Sequence, residues 1–176
     1  MKEHNKTVML ASGGIMIALS QILSYITFFQ MPQGGKVTPG SMVPIILFAL
    51  IWGGKPGLIA SVTYGILQFV LGGIFSLHPL SIILDYIVGF GVLGIAGFFN
   101  RDYKGAILGT MIAVALRFLS SFLSGWLVFG SYAPEGKAPW LYSLVYNATY
   151  MVPELIITTI IIALIYKPVK KALKRN

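Results

Sequence analysis

Apolar residues run along this chain in long blocks, separated by short polar or Gly/Pro-rich stretches. Six blocks stand out, at 7–29, 41–52, 57–75, 80–99, 105–130 and 140–166. Most approach or exceed the roughly 20 residues that cross a bilayer as an α-helix. The block at 41–52 is short, and is expected to be a short or tilted helix helped across by neighbouring loop residues. The breaks carry turn chemistry: QMPQGGKVTPG at 30–40, GGKP at 53–56, SLHP at 76–79, NRDYK at 100–104 and SYAPEGKAP at 131–139. Pro56 suits the first turn of a helix, whereas Pro153 predicts a kink inside the sixth block. Residues 167–176 read as a basic tail. The pattern predicts an all-α, polytopic membrane protein with six transmembrane helices in a single domain over 1–176.

Composition strengthens this reading. The chain is 56% hydrophobic and 10% charged, against about 25% charged in an average soluble domain. The formal charge is +8. The positive residues sit at the chain ends and in short breaks between apolar blocks, so nucleic acid is not the expected partner; the lipid bilayer is. With six spans, both termini share a side with ten Lys and Arg residues, against only Lys36 and Lys137 opposite and Arg117 within a span. The positive-inside rule then places both termini in the cytoplasm and predicts a multi-pass protein of the cell membrane. The first block lacks a small-residue cleavage signal and is read as a retained helix. There is no cysteine, which excludes disulfides, zinc thiolates and thiol catalysis. His4 and His78 have no metal-ligand companions at useful spacing, so neither a metal nor a cofactor is expected. No GxxxxGK[ST] occurs; the chain is not an ATPase of that type, and ATP-driven work would need another subunit.

Candidate chemistry lies where polar groups interrupt the apolar blocks. Asp85, Arg117 and Glu154 fall inside spans, where a charge costs about 2.5–3.5 kcal/mol at a helix centre and needs a partner. Asp85 and Arg117 either form a structural ion pair, or Asp85 faces a pocket and meets a cationic or amide-bearing ligand. Glu154, one residue after Pro153, is read as satisfying the kink or facing a partner subunit. Tyr142, Tyr146, Asn147, Thr149 and Tyr150 crowd the start of the sixth span. Their polar groups are met either by a buried ligand or by helix packing. Tyr142 and Asn147 point about 140° apart on a helix, so one helix presents both to a pocket only if they line different walls or if the helix is irregular at its start. Asn offers both donor and acceptor, and aromatic faces suit a flat or cationic ring. Ala11, Gly14 and Ala18 share a face of the first span, suited to close approach of another helix of this chain or of another subunit.

Four stretches carry a resemblance: MPQGGKVTPGSMVPI (31–45), HPLSIILDYIVGF (78–90), SGWLVFGSYAPEG (124–136) and WLYSLVYNATYMVPE (140–154). Together they resemble the YuaJ/ThiT family, the thiamine-specific substrate-binding (S) components of energy-coupling factor (ECF) transporters. The resemblance runs over nearly the whole chain. It implies thiamine binding on the outer side, with a transmembrane coupling subunit and two cytoplasmic ATPases as partners. It carries the family's acidic-Tyr pair onto Asp85 and Tyr86 and its basic residue onto Arg117. Its glycine falls on Gly125, its pocket aromatic on Phe129, and its Tyr-x-x-x-x-Asn on Tyr142 and Asn147. The small-residue face at Ala11, Gly14 and Ala18 becomes the surface for the coupling subunit. Two positions depart from the pattern. Ser121 stands where family members carry a pocket histidine, and residues 30–40 lack a loop tryptophan found in some members. Ser121 can hydrogen-bond but cannot stack, so a hydroxymethylpyrimidine or thiazole precursor is the alternative ligand. The Gly/Pro-rich loop at 30–40 is the expected lid. Trp126 and Trp140 are expected near the pocket. From other classes, an intramembrane enzyme using Asp85 and Glu154 as acid and base, and an assembly protein with no ligand, are the competing readings.

Overall fold

The computed structural model describes residues 3–73 and 75–173, with side chains from 6 to 172. The side chain of His4, and Lys2, Lys174 and Arg175 from the charge count, lie outside the described residues.

Among the described residues, six helices of ten residues or more follow one another: α1 (Glu3–Tyr25), α2 (Val43–Trp52), α3 (Gly54–Leu71), α4 (Pro79–Phe99), α5 (Tyr103–Leu127) and α6 (Pro139–Leu173). Between α1 and α2, β1 (Phe29–Gln30) pairs antiparallel with β2 (Lys36–Val37), in the register Phe29↔Val37 and Gln30↔Lys36. The expected loop at 30–40 is therefore a small hairpin, and α1 ends before the predicted residue 29. Gly34 turns the hairpin at φ 95°, a left-handed conformation open to glycine at little cost. At the other end of the chain the predicted tail is helical as far as Leu173, the last described residue. Lys170 Nζ bonds Tyr166 Oη at 2.6 Å and Asn100 O at 3.2 Å, and Lys167 lies 4.4 Å from the Tyr103 ring centre. These ties hold α6 in place past Pro168 to Leu173. Among the described residues, four stretches are long and apolar enough to cross a membrane: Lys6–Tyr25, Pro79–Phe99, Tyr103–Leu127 and Pro139–Ala172. The chain is an all-α membrane protein apart from its hairpin.

At the centre lies α2. Its first eight residues, from Val43 to Leu50, are all buried. A helix that is apolar all round belongs in an interior, and here α1, α3, α4 and α6 surround it. Longest of the six, α6 is inside out relative to a soluble helix. Ser143, Asn147, Tyr150, Glu154 and Thr158 are buried, while Val145, Val152, Ile156, Ile160 and Leu164 are exposed. In a bilayer this is the stable arrangement, because polar groups find partners only inside the bundle.

Winding changes along α4. One turn of α-helix gives way to a π-helix over Ile82–Val88, then to α-helix at Gly89–Gly91 and 3-10 helix over Val92–Phe99. The glycine spacing accounts for the last part. Gly91, Gly94 and Gly97 recur every three residues, the period of a 3-10 helix, so they line one face. A Cβ on Gly94 would strike the backbone of Gly57 and Leu58, and one on Gly97 the backbone of Ala49, Gly53 and Gly54. Without hydrophobic drive between helices in lipid, such close backbone approach is what holds neighbouring segments together.

Candidate functional site

One cavity opens at the end of the bundle where α1, α3 and α5 finish and α2, α4 and α6 begin. Its space for water-molecule centres is about 150 Å³. Asp85, Tyr86 and Arg117 line it, as do Ser121, Gly125, Phe129, Tyr142 and Asn147. Every residue singled out from the sequence as a substrate contact thus borders one hollow.

Asp85 reaches the cavity from the π-helical part of α4. Extra residues in a turn re-aim side chains, and such turns recur at functional sites. Ser120 Oγ donates to Leu84 O at 2.6 Å and ties this loosened turn to α5. The Asp85 carboxylate accepts hydrogen bonds from Ser81 Oγ, at 2.8 Å, and from Ser124 Oγ. Both land on Oδ2, so Oδ1 keeps its acceptor capacity among the described residues. The neighbouring Tyr86 donates to Gly73 O at 3.0 Å, and its ring meets Phe69 edge-on at 5.2 Å.

Arg117 does not pair with Asp85. Its guanidinium carbon lies 3.6 Å from the centre of the Phe90 ring, and Nη1 is buried without a hydrogen-bond partner. The structural ion pair entertained from the sequence is absent among the described residues. Cation–π attraction replaces it, at about 2 kcal/mol or more when desolvated.

The α6 wall is broad. Tyr142, Ser143, Tyr146, Asn147, Tyr150 and Glu154 all border the cavity, covering an arc of about 140° of the helix circumference. This resolves the 140° separation of Tyr142 and Asn147: they sit toward opposite margins of one wide face. Tyr142, Tyr146 and Tyr150 form a ladder, with ring centres 6.0 Å and 6.2 Å apart. Tyr150 Oη donates to Asn147 Oδ1 at 2.7 Å, and Asn147 Nδ2 donates to Ser143 O at 2.9 Å. Gly125 leaves room for this contact, because a Cβ there would collide with Ser143 Oγ. Thr149, grouped with these residues from the sequence, is exposed and bonds Val145 O on its own helix.

The hairpin closes over the cavity. Gln33 N–H donates to Tyr146 Oη at 2.9 Å, and Lys36 Nζ reaches Gly72 O at 3.4 Å. Gly34 presses on the Phe75 ring and Gly35 on the Tyr150 ring, with no space for a Cβ at either. At its base, Thr38 donates its backbone N–H and its hydroxyl to Glu154 Oε1, the latter at 2.8 Å.

From the sequence, Glu154 is expected to serve the Pro153 kink or to face a partner subunit. It is instead buried, at 3% exposure, and borders the cavity. The buried polar period Ser143, Asn147, Tyr150, Glu154 was the available signal. Gln68, the polar break in the third block, also borders the cavity and lies 2.9 Å from each of Gln21 Oε1, Ser24 Oγ and Tyr64 Oη. Trp126 and Trp140, expected near the pocket, are exposed and do not line it. Ala11, Gly14 and Ala18 are exposed, and a Cβ on Gly14 would meet nothing within 4 Å. His78 caps α4, its Nδ1 accepting from Leu80 N–H at 3.3 Å.

Comparison with known proteins agrees with the architecture. The chain is similar to the thiamine transporter ThiT of Bacillus subtilis (strain 168), at 37% identity over 191 residues, covering 100% of this chain and 99% of that protein. It is also similar to the thiamine transporter ThiT of Lacticaseibacillus paracasei, at 26% identity over 94% of this chain and 90% of that one. A solved structure of ThiT from Listeria monocytogenes shares the fold, with a TM-score of 0.82 at 24% identity over 95% of this chain and 97% of that one. The pattern of the thiamine transporter protein family (Thia_YuaJ) matches residues 10–174. With that match spanning nearly its whole length, the chain belongs to the Thia_YuaJ family of thiamine transporter proteins.

Proposed function

We propose that this chain is the substrate-binding membrane subunit of an ECF importer, capturing thiamine at the outer face of the cell membrane for ATP-driven uptake. Membership of its family makes it a thiamine-transport membrane protein, and that sets aside the intramembrane enzyme. The observation that carries the finer reading is the cavity itself: a carboxylate with a spare acceptor oxygen, aromatic walls and an amide meet under a hairpin. Thiamine matches these features. Its thiazolium bears a permanent positive charge and its aminopyrimidine offers donors and acceptors on one edge.

In this reading Asp85 balances the cation or binds the amine. Tyr86, Phe129 and Tyr142 wall the rings, Asn147 addresses the pyrimidine edge, and Arg117, Ser121 and Gly125 complete the pocket. The hairpin is the lid. Six spans with both termini in the cytoplasm follow from the distribution of Lys and Arg, and they put the cavity outside. Ala11, Gly14 and Ala18 form the face that docks on the coupling subunit, which with two ATPases supplies the energy this chain lacks. The exposure of that face supports the assignment.

Ser121 favours one second reading, a hydroxymethylpyrimidine or thiazole precursor as ligand. Calorimetric titration of the detergent-solubilised protein with thiamine, hydroxymethylpyrimidine and hydroxyethylthiazole separates the two. Saturable binding tightest for thiamine is expected. A tighter precursor would transfer the assignment to it, and no binding of any of the three would end it.

A further inference from the structure

We propose that Glu154 is a second anionic contact for the captured cation, and that it ties occupancy of the cavity to closure of the hairpin. The inference rests on thiamine being the ligand.

The two oxygens of Glu154 are used differently. Oε1 accepts from Thr38 at the base of the hairpin. Oε2 is buried and has no hydrogen-bond partner. An acceptor-only group left unmatched away from water costs several kcal/mol in a bilayer. Arg117, which borders the same cavity, does not relieve it: its guanidinium lies over Phe90, and its own buried Nη1 is unmatched. The walls therefore carry two carboxylates, Asp85 and Glu154, against one enclosed guanidinium, Arg117. Lys36, the remaining cation of the lining, keeps its charge but sits partly exposed on the hairpin, with Nζ 3.4 Å from Gly72 O. With Lys36 set apart on the hairpin, Asp85, Glu154 and Arg117 sum to one formal negative charge, which one ligand cation offsets. A thiazolium or the N–H of an aminopyrimidine placed against Oε2 supplies what that oxygen lacks.

The same carboxylate then holds ligand and lid together. With the cavity filled, Oε2 is matched, and Glu154 is fixed where Oε1 meets Thr38. In an empty cavity the carboxylate gains by turning toward water, and the base of the hairpin loses its anchor. Glu154 thus contributes to discrimination for cations and to retention of the bound molecule.

The test uses thiamine with the purified full chain, by calorimetry and stopped-flow kinetics. Glu154→Gln keeps the volume and an oxygen for Thr38 while removing the charge. Thiamine should bind at least about tenfold more weakly, the scale of a lost charge-assisted hydrogen bond, while the melting temperature without ligand stays near that of the parent. Thr38→Val removes the hydroxyl, with its ties to Glu154 Oε1 and to Ser41, but keeps the backbone N–H on Glu154, and should speed dissociation by less than Glu154→Gln does. An affinity of Glu154→Gln within twofold of the parent overturns the contact. Equal losses in the two variants assign the effect to the lid alone, and overturn it too. Infrared difference spectra of the parent provide a measurement that needs no variant. Only five acidic residues are present, and of these Asp85 and Glu154 line the cavity. Thiamine should perturb two carboxyl bands, and a single perturbed band overturns the proposal. A parent that ignores thiamine defeats the functional reading itself, a result separate from these.

Discussion

Two segments bring a carboxylate to the same cavity by opposite means. In α4 the helix is rewound, π-helical where Asp85 leaves it and 3-10 where glycines press on α2 and α3. In α6 the helix is unbroken from Pro139 to Leu173 despite Pro153 and Pro168, and it presents a broad polar face with Glu154 at its inner margin. The first route trades regular hydrogen bonding for the aim of one side chain. The second keeps the backbone regular and spends sequence, placing Ser, Tyr, Asn and Glu at helical spacing. Irregular winding concentrates sensitivity in a few backbone contacts, whereas a regular wall spreads it over many side chains.

The contrast can be broken at several points. Gly94→Val should have the largest effect. A branched side chain would be driven into the backbone of Gly57 and Leu58, and a buried overpacking of this kind costs about 1–3 kcal/mol or more. Loss of monodisperse protein in detergent size-exclusion chromatography checks it. Asp85→Ala should come next, with a folded protein whose thiamine affinity falls more than about tenfold by calorimetry, as expected for a lost charged partner. Unchanged affinity would remove Asp85 from the site. Tyr146→Phe removes the hydroxyl that receives Gln33 N–H. A net hydrogen bond of about 1 kcal/mol predicts a several-fold faster dissociation of thiamine in stopped-flow measurements, with little change in melting temperature. Pro153→Ala should matter least, because the helix already runs through this position and tolerance of proline inside membrane helices is general. Thiamine affinity within about twofold of the parent is expected, and a larger loss would show that the α6 wall depends on a local irregularity after all.

The same contrast explains what could be read from the sequence. The α6 wall was legible because helical spacing converts sequence distance into direction, and Tyr142 and Asn147 needed only a wide face to be reconciled. Glu154 obeyed the same period but was assigned to its neighbour Pro153, a local explanation that masked the longer pattern. Asp85 was legible as a costly intramembrane charge. Its delivery by a π-helix was not, because that winding depends on contacts with α5, such as Ser120 to Leu84 O, that lie far apart in the chain. The hairpin was read as loop because two-residue strands carry no alternation to detect; its partners on α6 and beyond α3 fix it. The partition of Arg117 toward Phe90 rather than Asp85 is likewise a tertiary choice.

The threefold spacing of Gly94 and Gly97, both set against backbone, has a mechanical consequence. Where amide planes rest directly on amide planes, no compressible side chain lies between them to absorb sliding. The second half of α4, α2 and the start of α3 must therefore travel as one stiff block. Any change of shape during a transport cycle falls to the parts outside that block, the hairpin and the long outer helices.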